Sequence, residues 1–199
     1  MGESTTGREP VGLAGAWALI VGPGGSRGHS MLIAVCALGG GVGAVLLAPP
    51  YWTSWQLLVA LLLAVDVIGG VAANALPAGR RWYHRPERSL VSRALFFGGH
   101  VLHPVLLVLV FDARWEWGLL LFGSMLLAAT SVLLAPIDVA LAVGLIATTA
   151  ALTLVLTVFG GPPEGLVWLA VAYFLKLIVG HATPETPSAA TAVGSDAAR

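Results

Sequence analysis

The sequence predicts an all-α integral membrane protein: a six-transmembrane-helix bundle, N-in/C-in, with a disordered C-terminal tail. Three observations carry this reading. Of 199 residues, 57% are hydrophobic and 10% charged, against about 25% charged in soluble domains. The mean hydropathy is +0.88, and several apolar runs approach the ~20 residues a helix needs to cross a bilayer. Lipid admits only helices or closed barrels, and the sequence lacks the ~10-residue alternating segments of a barrel.

The expected spans are 31–48, 54–76, 94–111, 116–135, 139–159 and 164–180. They imply a cytoplasmic or interfacial segment 1–30, a membrane domain 31–181, and a tail 182–199. The tail is rich in Ala, Thr, Ser and Pro without apolar period, the composition of disorder. The apolar run 11–22 ends in Gly22-Pro23-Gly24-Gly25. It is too short to span, so its expected place is the interface or a surface of the bundle.

Orientation follows the Lys/Arg bias of short loops. A cytoplasmic N-terminus keeps Arg8, Arg27, Arg80, Arg81, Arg85, Arg88, Arg93 and Arg199 inside and leaves only Arg114 outside. Trp52, Trp55, Trp115 and Trp117 then fall at outer span ends, as an aromatic belt. The expected location is the cell membrane, as a multi-pass protein in contact with membrane lipids. Net charge is zero, with no basic field for nucleic acid. The lone Cys36 excludes an intrachain disulfide and reads as a small packing residue.

Polar side chains interrupt these spans at similar depth: Asp66 and Asn74, His100 and His103, Lys176 and His181. Such groups are costly in hydrocarbon and by default mark function. Asp66, Gly70 and Asn74 recur at i, i+4, i+8 on one helix face. Asp66 is the candidate acid, base or metal ligand, with Asn74 orienting it; the competing reading is a structural ion pair with Lys176. His100 and His103 share a face at i, i+3, as paired metal ligands require. Pro104 cannot donate to the His100 carbonyl, so a kink and a free acceptor are expected there. The competing reading is two neutral histidines bonded across helices.

The 77–93 connection carries Arg80, Arg81, His84, Arg85 and Arg88 beside Trp82 and Tyr83. Arg80, Arg81, His84 and Arg85 are candidate ligands for an anionic head group, although topology alone also requires arginines there. Lys176, the only lysine, snorkels to the cytoplasm, pairs with Asp66, or serves as a desolvated catalytic amine. Tyr173, three residues before it, is expected at the same cavity. Gly39, Gly41 and Ala44 match a dinucleotide fingerprint that needs a strand before it; Gly39 and Gly43 read instead as a GxxxG contact face. Thr149, Thr153 and Thr157 are expected to bond helix backbone or a neighbouring helix, and Asp138 to cap the fifth span.

Three functions compete. The first is a membrane enzyme acting on a lipid or isoprenoid-type substrate from the cytoplasmic leaflet. It would work by acid–base cyclisation or isomerisation, or through zinc or iron held by His100 and His103. The second is a proton-coupled transporter or channel using the same residues as a relay, assembled as a homo-oligomer. The third is an accessory subunit whose polar groups lock helices together.

Overall fold

The computed structural model describes residues 12–184, and every regular element among them is helical. In chain order these are α1 (Gly12–Val21), α2 (Arg27–Leu46), α3 (Ser54–Ala75), α4 (Pro77–Tyr83), α5 (Leu90–Gly99), α6 (Leu102–Phe111), α7 (Trp115–Leu134), α8 (Ala140–Thr157) and α9 (Val167–Phe174). The last helix continues as a π-helix over Leu175–Ala182.

Local chemistry sets the boundaries. Ser26 caps α2 by accepting from the His29 backbone N–H, so this helix begins four residues before the apolar run. Thr53 and Gln56 form a reciprocal capping box on α3, satisfying two otherwise orphaned donors. Ser89 caps α5, and Pro77 opens α4, where its missing N–H costs nothing. Phe159, at φ 56°, stops α8 from continuing.

Five helical segments are long and apolar enough to cross a membrane: Arg27–Leu46, Ser54–Ala75, Val91–Phe111, Trp115–Leu134 and Ala140–Gly160. A sixth apolar segment, Val167–Ala182, is shorter. The surface carries exposed Leu38, Leu109, Leu127 and Ile146, the pattern of a multi-pass protein with hydrocarbon as its solvent. Leu121, Met125, Leu169, Phe174 and Leu177 form the centre of the core.

Helix α3 is wedged between α2 and the last helix. A Cβ on Gly40 would stand 2.7 Å from Ile68 Cδ1, and one on Gly69 2.9 Å from Ala37 Cβ. Small residues thus bring α2 and α3 into close approach. The contact face is Gly40 and Gly41, not Gly39 and Gly43, beside which a Cβ would meet nothing within 4 Å; the one-residue rotation follows from the way α2 lies on α3. Thr149, Thr153 and Thr157 bond the carbonyls four residues back, as the stripe implied. Asp138 caps nothing: the N-cap of α8 is Val139, without a side-chain bond.

The ends of the chain also depart from expectation. Helix α1 packs on α2 and α4, while residues 1–11 lie outside the described residues. Ala182 is helical and Thr183 buried, so packed structure reaches into the expected tail; residues 185–199 lie outside the described residues. Of the four belt tryptophans, Trp55 and Trp115 are exposed, but Trp117 is fully buried.

Trp117 Nε1–H donates 2.7 Å to the Val155 carbonyl, an acceptor released because Phe159 leaves the helix. Trp117→Phe keeps an aromatic ring but, lacking the N–H, strands that buried carbonyl. The expected loss is about 1–3 kcal/mol, read as a lowered thermal midpoint in detergent.

Candidate active site

The site forms where α3, the α5–α6 junction and the π-helical end of the last helix meet. Asp66, on the middle of α3, accepts two hydrogen bonds on one oxygen. His103 Nε2–H donates to Oδ2 at 2.9 Å, and Lys176 Nζ donates to the same atom at 2.7 Å. Oδ1 accepts no hydrogen bond from the described residues. Lys176 is only 6% exposed, which overturns snorkelling: its charge is turned inward to the carboxylate. The Asp66 side chain is 51% exposed and faces open space.

Gly70 makes the ion pair sterically possible. The Lys176 stem lies across it, so a Cβ there would fall 2.5 Å from Cε and 2.7 Å from Cδ. Asn74, one turn further, does not reach Asp66. Its Nδ2 donates to the Lys176 backbone carbonyl at 3.1 Å, binding α3 to the π-helix rather than orienting the acid.

The π-helix determines what the last helix presents. In an α-helix, residues 176 and 181 would point about 140° apart; i→i+5 winding brings them onto one side. Lys176 thereby meets Asp66, while His181 stacks on Phe96 at 3.6 Å between centroids and 14° between planes. The wide turn closes where the Thr183 backbone N–H and hydroxyl both donate to the Ile178 carbonyl.

The third span breaks between α5 and α6 at His100–Val101, as Pro104 implies. The His100 carbonyl does not stay free: it accepts from the His103 backbone N–H and from the Tyr173 hydroxyl, both at 3.2 Å. Tyr173 is therefore a buried strut behind the site, not a cavity wall. His100 Nδ1–H donates to the Phe96 carbonyl at 2.7 Å, which assigns the neutral tautomer with Nε2 as acceptor. Nε2 makes no hydrogen bond with the described residues.

Two apolar clefts converge here. One of about 480 Å³ has Trp55, Leu63, Leu102 and Leu106 in its lining. Another of about 440 Å³ has Ile33, Ala37, Val65 and Lys176 in its lining. Leu62, Asp66, Phe96 and His100 line both. The polar cluster thus sits at the junction of two hydrophobic grooves.

A zinc or iron site does not fit these residues. The rings of His100 and His103 stack with centroids 5.2 Å apart and planes 9° apart. Parallel rings aim their lone pairs side by side rather than at one point, whereas tetrahedral ligation needs convergence. His103 Nε2 is already engaged by Asp66. Among the described residues no group of three or more His, Cys, Asp and Glu is placed to hold a metal ion.

The arginine connection is largely committed to the fold. Arg80 Nη2 donates to the carbonyls of Thr183 at 2.7 Å and Pro184 at 3.0 Å. His84 Nε2–H donates to the His181 carbonyl at 2.8 Å. These groups satisfy the open C-terminal carbonyls of the last helix and oppose its dipole. Arg85 stacks 3.6 Å over Trp82 and donates to that residue's own carbonyl. Arg81 is exposed. Sequence reasoning missed Phe96, whose carbonyl and ring organise His100 and His181; nothing distinguishes it from other apolar residues of its run.

Burial holds the His84 imidazole below its ordinary value of 6.5; the His181 carbonyl opposes this, and Arg93, Arg80 and Arg88 add to it. The folded state therefore favours neutral His84. Its contribution to stability is complete above 6.5 and is lost as pH falls below that value, because the unfolded chain binds the proton first. His84→Gln keeps an N–H for the carbonyl and should flatten thermal midpoint against pH between about pH 7 and 5. Gly70→Ala should displace Lys176 and lower stability by about 1–3 kcal/mol, measured by thermal unfolding in detergent.

Comparison with protein-family models, curated proteins and solved structures returns no match, so the site's own geometry carries the functional argument.

Proposed function

We propose that this chain is a six-span membrane protein with both termini in the cytoplasm, and an enzyme that moves a proton on a lipid or isoprenoid-type substrate. The single observation behind the reading is a half-open carboxylate, backed by a lysine and a histidine, at the junction of two apolar clefts. A purely structural ion pair has no need of an open face or of flanking grooves.

The chemistry follows from what each atom is free to do. Oδ2 of Asp66 accepts two hydrogen bonds, one of them from the Lys176 ammonium at 2.7 Å, and that contact favours the ionised carboxylate over the acid. That disfavours protonating an alkene to start a cyclisation and favours proton abstraction and return, as in an isomerisation. Among the described residues, Asp66 Oδ1 and His100 Nε2 are uncommitted acceptors beside the clefts; His103 Nδ1 is unpaired too but buried. Lys176 and His103 hold the carboxylate in place and stabilise its charge. Arg81, the exposed cation of the connection, remains the candidate for the substrate's polar end.

The second reading, a proton relay through Asp66, His103 and Lys176, draws on the same ion pair. One experiment separates them. Protein in bicelles with a lipid and isoprenoid extract is incubated in heavy water, and products are followed by mass spectrometry. The enzyme reading expects deuterium in one lipid species, reduced ~10²-fold or more by Asp66→Asn. Removing one partner of a buried pair also destabilises, so Asp66→Asn/Lys176→Met is the control: stability should return and exchange should not. Recovery of both would mean a structural pair. No exchange, with proton flux into liposomes abolished by the double variant, would establish the relay. A C-terminal reporter should appear cytoplasmic; an external signal would overturn the topology.

A further inference from the structure

Helix α5 has a second face. Phe96 and His100 look toward Asp66, while Arg93, Ala94, Phe97 and Gly98 line a separate cleft of about 570 Å³ against α7. Phe122, Leu126, Thr130 and Leu133 supply its other wall. Leu126, Thr130 and Leu133 are exposed, so the cleft opens to the lipid side of the bundle.

Arg93 is the anomaly in this apolar setting. Among the described residues its Nε is buried without a partner, and the ion pairs involve other cations: His103, Arg114 and Lys176. The 77–93 connection holds five arginines and one acid, Glu87, which is exposed and forms none of those pairs. A guanidinium with open donors prefers a planar or tetrahedral oxyanion. Arg93 lies one turn into α5, the depth of a head group, with some three turns of apolar cleft beyond it.

We propose that the α5–α7 cleft binds one anionic glycerophospholipid, its phosphate on Arg93 and an acyl chain along Phe97, Phe122, Leu126 and Leu133. Charge complementarity selects the head group, and the apolar groove selects a lipid over a free anion. The site is distinct from the Asp66 cluster and holds whether or not that cluster is catalytic.

Native mass spectrometry of the full chain in detergent tests this with added phosphatidylglycerol, phosphatidylcholine or inorganic phosphate. One phosphatidylglycerol adduct is expected, favoured about tenfold over phosphatidylcholine, and Arg93→Gln should abolish the preference. Gly98→Leu is the second variant. A Cβ at Gly98 meets nothing within 4 Å, so a side chain has room to leave the helix on the cleft side. It should reduce the adduct while leaving the thermal midpoint at the wild-type value. Equal occupancy by phosphatidylcholine, an unchanged preference in Arg93→Gln, an unchanged adduct in Gly98→Leu, or displacement of the lipid by phosphate would each overturn the proposal.

Discussion

The ion pair between Lys176 and Asp66 is the constraint around which the bundle is arranged. An ammonium group buried at 6% exposure is tolerable in a low-dielectric interior only with a counter-charge in direct contact. Reaching that contact determines the rest. Gly70 must lack a side chain so that the lysine stem can cross α3. The last helix must widen into a π-helix, and Asn74 must hold the lysine's own carbonyl. The small residues between α2 and α3 then fix α3 at the required depth.

The same constraint explains the division of labour among the polar residues. Four of them are spent on geometry: Tyr173 on the His100 carbonyl, Asn74 on the π-helix, and the half-buried Arg80 and His84 on the end of the last helix. Among the described residues, one oxygen of Asp66 and Nε2 of His100 stay uncommitted where the clefts meet, while the unpaired Nδ1 atoms of His103 and His181 are buried.

Much of this was legible in the sequence. Helical spans, the polar depth, the Asp66–Gly70–Asn74 face, the broken third span and the threonine back-bonds all follow from periodicity and from what Pro and small residues permit. The partnership of Lys176 with Asp66 was one of three readings, because hydropathy cannot distinguish a lysine turned to the interface from one turned inward. The π-helix was not legible: its trace is a lysine and a histidine five apart, which α-periodicity places on different faces. The roles of Arg80 and His84 were misjudged for a related reason. A cationic loop looks the same whether its charges meet a ligand, a membrane surface or the carbonyl end of a distant helix.

The two charges at the centre lie 110 residues apart in the chain. At about 5–20 residues per second, the ribosome needs roughly 5–20 s after completing α3 before Lys176 exists. During that interval α3 holds a carboxylate with no cation, in a membrane where such a group costs about 2.5–3.5 kcal/mol at mid-helix. The uninterrupted run Leu57–Val65 offsets this cost and keeps the helix inserted. Assembly thus passes through a half-built bundle in which the carboxylate of α3 still lacks its ammonium partner. The arrival of the last helix is the step that ends that exposure.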